Sequence, residues 1–225
     1  MKRTADRHPA AEILGGEPLG RPAPPPGEVA RSLHLPARIT ARVAAFDRRV
    51  DRAVDGMRSP TLDRVMYAAT ELGDFALIWH ILGVARGLRS DRHAADAVRL
   101  SSILGIESVL VNGVIKSFFR RTRPAWEQPR AFKIRKPRSS SFPSGHASSA
   151  FTAAAILGED DPLRPLYYAI GAVVASSRVY VKIHHASDVL GGVATGIVLG
   201  RVAKRVWPQP TGSHPLSGFG KRSSS

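Results

Sequence analysis

Apolar residues recur at three- and four-residue steps over residues 37–57, with Arg and Asp between them. This period is that of an amphipathic α-helix with one apolar face. Such a helix either packs on the surface of a helical bundle or lies at a membrane interface, with its arginines near lipid phosphate. The pattern leaves both interpretations open.

Five longer apolar segments follow this helix, and no internal repeat is recognisable. The segments cover about residues 62–86, 97–118, 145–158, 163–179 and 187–206. Each is long enough for a helix of three or more turns. The predicted fold class is therefore all-α, a bundle of five or six helices with an amphipathic helix at its N-terminal side.

In four of these segments the longest uncharged run is only 11 to 13 residues, whereas a plain transmembrane helix needs about 20. Two features nevertheless favour a membrane-embedded bundle. The apolar segments extend past charges near their ends, where Arg reaches the interface. The last segment also carries Gly192, Gly196 and Gly200 at four-residue spacing, which lets helices approach closely in lipid but would weaken a helix in water.

Both ends of the chain differ in composition from the predicted bundle. They are rich in Pro, Gly, Ser and charge, a composition that does not build a core. We therefore divide the chain into a disordered tail (1–35), an amphipathic helix (36–60), a helical bundle (61–207) and a second disordered tail (208–225). The first tail has no apolar stretch of the kind found in secretory signals, which argues against a soluble exported protein.

The charge balance is strongly basic, with 33 Lys and Arg against 18 Asp and Glu and a net charge of +15. Such a balance suits nucleic acid, anionic lipid headgroups or a phosphorylated substrate, and composition does not choose among them. The chain has no Cys, which excludes disulfides and thiolate metal sites. No cluster of carboxylates suited to Mg²⁺ or Ca²⁺ is visible in the sequence.

A first basic cluster ends the second apolar segment. Lys116 and Arg123 lie seven residues apart, and Arg123 directly precedes Pro124. A helix that ran to the proline would therefore present both side chains on one side. A Lys and an Arg at a helix end bind phosphate well. A cationic cap on an exiting helix would look the same in sequence.

A second cluster opens the next helix. Pro143 and Ser144 precede Gly145 and His146, and the free backbone N–H groups of such a helix start form an anion site. His146 in the first turn is placed to donate a proton to a leaving oxygen. The alternative is an ordinary Ser N-cap with an incidental His.

A third cluster precedes the last helix. His184 and Asp188 lie four residues apart, either on one helical face or across a helix start. A carboxylate at one ring nitrogen fixes the tautomer and makes the other nitrogen nucleophilic. Arg178 is placed to add positive charge to a transferring phosphoryl group, although a His–Asp pair that merely caps the helix gives the same spacing.

All three clusters lie at helix ends, and these ends meet on one side of the bundle if successive helices alternate in direction. We therefore predict a single pocket. Other charges fit none of the three clusters. Glu71 and Asp74 are expected at helix ends or in ion pairs, His185 is expected to be structural, and Arg120 and Arg121 are expected to contact a lipid headgroup or tail. Glu107 is left open between a structural and a functional role.

The three clusters read Lys-x6-Arg-Pro, Pro-Ser-Gly-His and Ser-Arg-x5-His-x3-Asp. Together they resemble the signature of the type-2 phosphatidic acid phosphatases, which are related to soluble bacterial class A acid phosphatases and to vanadium haloperoxidases. The resemblance covers about residues 62–206 and has no departure in the three motifs. It implies a bacterial membrane lipid phosphatase that needs no metal or other cofactor.

The resemblance also implies a role for each motif residue. His184 would attack phosphorus to give a phosphohistidine, and Asp188 would orient His184. His146 would protonate the leaving alkoxide and later help to activate water. The phosphate would be held by five further residues, Lys116, Arg123, Ser144, Gly145 and Arg178.

The leading hypothesis is hydrolysis of a lipid phosphate monoester or diphosphate. Candidate substrates are phosphatidic acid, phosphatidylglycerol phosphate, an isoprenoid phosphate or diphosphate, and a polyprenyl-linked sugar phosphate of cell-envelope synthesis. One alternative is a vanadate-dependent haloperoxidase, and another is a basic nucleic-acid-binding protein. The sequence has no zinc finger or recognisable recognition helix, which argues against the latter. The expected partners are therefore a lipid phosphate and the bilayer, without nucleic acid, and the oligomeric state is left open.

The orientation in the membrane is less clearly specified. Residues 119–142 carry eight basic residues and one Glu, which the positive-inside rule would place in the cytoplasm. These charges have a second explanation in phosphate binding, and the resembling family commonly faces outward. We expect a multi-pass cell-membrane protein with an outward active site, and leave open whether residues 37–57 cross the bilayer.

Overall fold

A computed structural model describes residues 36–125, 132, 134, 137 and 139–209. The predicted disordered tails, apart from residues 208 and 209, lie outside this range. The described residues form six helical rods and no strand, which confirms the all-α class. The rods are α1 (Ala37–Gly56), α2 (Pro60–Gly87), α3 (Asp91–Phe118), α4 (Gly145–Leu157), α5 (Arg164–Tyr180) and α6 (Ala186–Val206).

Helix starts follow the local sequence. The Ser59 hydroxyl accepts a hydrogen bond from Leu62 N at 3.2 Å at the start of α2, and Ser90 accepts one from His93 N at 3.4 Å at the start of α3. These caps satisfy backbone donors that a helix start leaves open. Because Ser90 supplies such a cap, α3 begins at Asp91, ahead of the predicted residue 97.

Two rods are interrupted close to the predicted pocket. In α2, residues Asp74–Ala76 form a 3₁₀ turn in which Phe75 (φ 52°) and Ala76 (φ 57°) adopt the left-handed backbone region. In α3, the α-helix gives way to a π-helix over Val109–Val114 and a 3₁₀ turn over Ile115–Phe118. The left-handed region is unfavourable for residues with a Cβ, and such strain is common at functional sites.

Helix α4 lies at the centre of the bundle and packs against α5 and α6. The small residues of α6 face it, since a Cβ at Gly196 would collide with the carbonyl oxygen of Ser148, and one at Gly192 with that of Ser144. Thr152 of α4 donates a hydrogen bond to the Gly196 carbonyl at 3.2 Å. The prediction that these glycines permit close helix contact is confirmed.

The outer surface of the bundle is apolar. Helices α2, α3 and α6 are each long and apolar enough to cross a bilayer. Large apolar side chains point outward from them, among them Val84, Val98, Ile106, Val109 and Val198. A continuous exposed apolar surface of this kind is unfavourable in water and favourable in lipid.

Helices α2, α4 and α6 begin, and α3 and α5 end, at one end of the bundle, which we call the site end. Helix α1 lies across this end. Its Val54 packs in the cluster of Tyr67 and Tyr180, and Arg58, just after α1, donates a hydrogen bond to the Tyr180 carbonyl at 2.6 Å. At the opposite end, Arg86 donates to the Leu157 carbonyl at 2.6 Å.

Candidate active site

A cavity of about 460 Å³ opens at the site end. Six of the eight predicted site residues line it, namely Lys116, Arg123, Gly145, His146, Arg178 and His184. The structure therefore brings the three sequence clusters together around one space. The other two predicted residues, Asp188 and Ser144, lie behind its wall.

His184 sits in the tight turn between α5 and α6. The backbone N–H groups of Ile183 and His184 both donate to the Arg178 carbonyl at 3.1 Å, and Lys182 (φ 54°) reverses the chain. The imidazole is 2% exposed. Its Nε2 lies 3.2 Å from Arg123 Nη1 on the cavity side, so Nε2 is the nitrogen that faces a substrate.

The other ring nitrogen of His184 faces Asp188. The distance from Nδ1 to Asp188 Oδ2 is 3.6 Å, slightly longer than a hydrogen bond. The same Oδ2 accepts the backbone N–H of His185 at 2.9 Å, and His185 is the N-cap of α6. The carboxylate thus both faces the imidazole and caps the helix, and its catalytic role stays a prediction.

Burial lowers the pKa of His184 to about 3, with the nearby Asp188 opposing the shift and the cationic Arg123 adding to it. The imidazole is therefore neutral near pH 7. A neutral ring has a lone pair on the nitrogen that faces the cavity, which is the form that a nucleophile requires.

Three cationic side chains line the cavity that Nε2 of His184 faces. Lys116 is buried, and its Nζ donates to Asn112 Oδ1 at 2.9 Å. Arg178 is buried and donates to the Thr70 hydroxyl. Arg123 donates to the Ile183 carbonyl at 3.0 Å, and burial lowers the pKa of its guanidinium. Cations gathered in one cavity repel one another, so an anion such as phosphate is favoured between them.

Arg123 lines this cavity from a backbone segment that differs from the predicted helix. Helix α3 ends at Phe118, where the predicted segment 97–118 also ends, and does not run on to Pro124. Arg123 therefore lies on the irregular segment after α3, and not two helical turns beyond Lys116 on one helix. Hydrogen bonds to the carbonyls of Ile183 and, at 3.2 Å, Ser139 hold its guanidinium in place.

Ser144 is buried at the start of α4, behind the cavity wall. Its hydroxyl accepts from Ala147 N at 3.5 Å as the N-cap of α4, and its N–H donates to the Asp188 carbonyl at 3.0 Å. Both groups make these contacts within the protein, and a phosphate contact of Ser144 stays a prediction. Gly145 does line the cavity, and a Cβ there would lie 3.0 Å from Asn112 Oδ1.

His146 has a carboxylate neighbour of its own. Its Nε2 lies 2.8 Å from Asp74 Oδ1, and a Cβ at Gly73 would collide with its ring. Asp74 does lie where an α-helical segment ends, as predicted, but its contact with His146 was not predicted. The break in α2 is what brings this carboxylate to the cavity.

The remaining charged residues divide into three groups. Glu71 and Arg120 are exposed, and the lipid contact of Arg120 stays a prediction. Glu107 is buried and lines the cavity. Arg121 was interpreted as a lipid contact, and this is wrong, because its guanidinium is turned inward to Asp188 Oδ1 at 2.5 Å.

Residues 96–211 match the PAP2 superfamily. The chain belongs to this superfamily. The PAP2 chain is 30% identical over 173 residues to phosphatidylglycerophosphatase B of Bacillus subtilis (strain 168), a match that covers 71% of this chain and 82% of that protein. It is 29% identical over 159 residues to the decaprenylphosphoryl-5-phosphoribose phosphatase of Mycobacterium tuberculosis, covering 67% and 86% of the two chains.

The fold of the PAP2 chain is similar to a solved structure. It superposes with a TM-score of 0.58 and 27% identity on the crystal structure of a transmembrane PAP2-type phosphatidylglycerolphosphate phosphatase from Bacillus subtilis, covering 79% of this chain and 90% of that one. The protein is thus a membrane-bound lipid phosphatase of the PAP2 superfamily.

Proposed function

We propose that this enzyme hydrolyses a lipid phosphate through a phosphohistidine formed on His184. The observation that carries the proposal is the placement of the ring between Asp188 on Nδ1 and the cationic cavity on Nε2. A neutral, oriented imidazole beside three cations fits in-line attack on a bound phosphoryl group.

In the first step, the lone pair on Nε2 of His184 forms a bond to phosphorus. The bond between phosphorus and the lipid oxygen breaks, and His146 gives a proton to the leaving alkoxide. Lys116, Arg123 and Arg178 stabilise the negative charge on the phosphoryl oxygens during transfer.

In the second step, water replaces the lipid alcohol. His146, now without its proton, takes a proton from water, and the water oxygen forms a bond to phosphorus. The bond from phosphorus to Nε2 breaks, its electron pair returns to the ring, and inorganic phosphate leaves. The enzyme regains its starting protonation state.

The lining of the cavity beyond His146 favours a polar leaving group. It includes the hydrogen-bonding side chains Asp74, His80, Ser101, Ser108 and Asn112. Such groups suit a hydroxyl-bearing headgroup, because each hydroxyl finds a donor or acceptor. Two relatives carry names that refer to a glycerophosphate lipid and to a phosphoribose lipid, which agrees with a phosphate monoester on a polyol headgroup as substrate.

A polyprenyl diphosphate is the second candidate substrate. An undecaprenyl-diphosphatase of Bacillus subtilis is 26% identical over 154 residues. The cations around His184 would accept a diphosphate as well as a monoester, but the polar lining beyond His146 offers no particular advantage to a prenyl chain. We therefore rank it below the polyol headgroup.

The test is phosphate release by the purified full chain in detergent. We expect phosphatidylglycerol phosphate or a polyprenyl phosphoribosyl phosphate to exceed polyprenyl diphosphate and phosphatidate in kcat/KM by about 10-fold, roughly the discrimination that one or two lost hydrogen bonds give. His184→Ala should abolish turnover and the trapped phosphoenzyme. His93→Ala, at the opposite end of the bundle, is the matched control.

The two parts of the proposal fail separately. Wild-type turnover by His184→Ala, or phosphate trapped on another residue, would overturn the mechanism. Equal kcat/KM for all four lipids would overturn the preference for a polar headgroup and leave the mechanism standing.

A further inference from the structure

Helix α1 contacts the turn that carries His184 on both sides of the histidine. Before it, Lys182 Nζ donates to Asp51 Oδ1 at 3.1 Å. After it, the backbone N–H and the hydroxyl of Ser187 donate to the two carboxylate oxygens of Asp47 at 2.9 and 2.8 Å. An amphipathic helix that served only to lie on a membrane would not need these contacts.

Asp47 is buried, with 5% of its surface exposed. A buried carboxylate is costly unless it is paired and hydrogen-bonded. The pairing comes from Arg121, whose Nη2 lies 2.6 Å from Asp47 Oδ2. The charge on α1 is therefore balanced by a residue of the loop that follows α3, and not by solvent.

Arg121 contacts a second carboxylate at the same time. Its Nη1 donates to Asp188 Oδ1 at 2.5 Å, and the other oxygen of Asp188 faces His184 Nδ1 at 3.6 Å. One guanidinium is thus shared between a carboxylate of α1 and the carboxylate behind the nucleophile. The four side chains form a line from α1 to the reacting ring.

We propose that Asp47 is a positioning residue of this enzyme, which holds Arg121 so that Arg121 fixes Asp188 behind His184. When Asp47 is neutral, Asp188 alone balances the Arg121 cation. The guanidinium then draws the Asp188 charge away from the imidazole, which weakens both the orientation and the nucleophilicity of Nε2. The inference rests on the proposed phosphohistidine function of His184.

The docking of α1 does not depend on this carboxylate alone. Val50 and Val54 of α1 pack in the apolar cluster that contains Tyr67 and Tyr180. Burial of such apolar side chains stabilises the contact independently of the charge. Loss of the charge at Asp47 should therefore leave α1 in place and change the rate of the reaction.

The test is rapid-quench measurement of phosphoenzyme formation by the full chain in detergent, with phosphatidylglycerol phosphate labelled in its terminal phosphate. In Asp47→Asn, we expect the rate constant of the burst to fall about 10- to 100-fold, the range usual for groups that orient a reacting side chain through a second group. The burst amplitude and KM should stay within about twofold, since a merely structural defect would lower the amplitude and not the rate constant.

Asp55→Asn is the matched control. It removes a carboxylate from the same helix by the same substitution, and the Asp55 side chain is 52% exposed and contacts Lys182, which keeps its contact with Asp51. Its burst rate constant should stay within about twofold of wild type.

A double-mutant cycle tests the route of the effect. In Arg121→Gln there is no cation for Asp47 to hold, so the added Asp47→Asn should change the rate constant by less than about twofold. If the two single effects multiply in the double variant, Asp47 acts by another route and the inference is overturned.

The outcomes separate this inference from the proposed function. If the wild-type enzyme forms no phosphohistidine at residue 184, the proposed function fails. If it does, and Asp47→Asn forms it at the wild-type rate, the inference alone fails. If Asp47→Asn gives no folded enzyme, Asp47→Glu is the variant to measure, because its longer side chain displaces Arg121. A lower rate constant of phosphoenzyme formation in Asp47→Glu supports the inference. A wild-type rate constant overturns it.

Discussion

His146 and His184 each face a carboxylate from a different part of the chain. His184 faces Asp188 from the first turn of α6, and His146 faces Asp74 from the break in α2. A carboxylate at an imidazole orients the ring and stabilises positive charge on it. The arrangement suits a nucleophile on one side of the phosphate and a proton donor on the other.

The pairing of Asp74 with His146 gives a prediction about leaving groups. Asp74→Asn should lower kcat/KM for an alkyl phosphate lipid by about 10- to 100-fold, because a poor leaving group needs the proton that an oriented His146 supplies. The loss for p-nitrophenyl phosphate should be under about threefold, because an activated aryl oxygen leaves without a proton. Steady-state kinetics on both substrates measure the difference.

Glu71→Gln is the control for this prediction, since Glu71 lies one turn earlier on α2 and is exposed. It should behave as wild type on both substrates. An equal loss on alkyl and aryl phosphates in Asp74→Asn would contradict a role in proton donation.

The sequence predicted the residues that line the cavity better than it predicted their partners. Lys116, His146 and His184 stand in short motifs whose spacing carries information. Asp47 and Asp74 come from segments far away in sequence, where a lone Asp has no local signal. Such partners depend on how helices pack, which residue spacing does not contain.

At the scale of elements, the apolar period gave the six helices but not their irregular parts. Apolar residues flank both breaks, so the apolar period runs past them, although Gly73-Asp74 and Asn112-Gly113 are pairs typical of turns. Contacts from other helices accompany both, since the His146 ring lies against Gly73, and Asn112 lies against Gly145. Tertiary packing of this kind overrides local propensity.

The contact of α6 with α4 gives a prediction about stability. In Gly196→Ala, the added Cβ meets the Ser148 carbonyl, which belongs to the backbone and cannot turn aside. The helices must separate, which should lower the free energy of unfolding by about 1–3 kcal/mol. Thermal unfolding in detergent measures this change.

Gly105→Ala is the matched control, because a Cβ at this helical glycine meets no atom within 4 Å. It should be neutral or stabilise the protein by up to about 1 kcal/mol, as Ala favours a helix more than Gly. Equal stability of the Gly196→Ala variant and the wild type would show that α4 and α6 are not in close contact.

At the scale of the whole molecule, alternation of the helices places all three motifs at the site end, as the order of the apolar segments predicted. The face of the membrane on which this end lies stays a prediction. The basic loop after α3 does not decide it, because two of its arginines, Arg121 and Arg123, are turned inward to Asp188 and the cavity. Counting these two arginines under the positive-inside rule would overstate the evidence that the loop lies in the cytoplasm.

The absence of Cys from the chain allows a direct measurement of orientation. A single Cys in place of the exposed Arg120 lies at the site end, and one in place of the exposed Leu88 lies at the opposite end. In intact cells, we expect a membrane-impermeant maleimide to label Arg120→Cys and not Leu88→Cys. The reverse pattern would place the active site in the cytoplasm, and labelling of both would contradict a bundle that spans the bilayer.

The groups that support the cavity from α1 and α2 have a consequence for how such enzymes diverge. Asp47, Thr70 and Asp74 all precede residues 96–211, which the superfamily model matches, whereas His146, Arg178 and His184 lie within them. From the roles proposed for Asp47 and Asp74, we expect that the three motifs alone pass on the reaction without fixing its rate or its choice of leaving group. Selection acting on the first third of the chain can retune both while every signature residue stays the same.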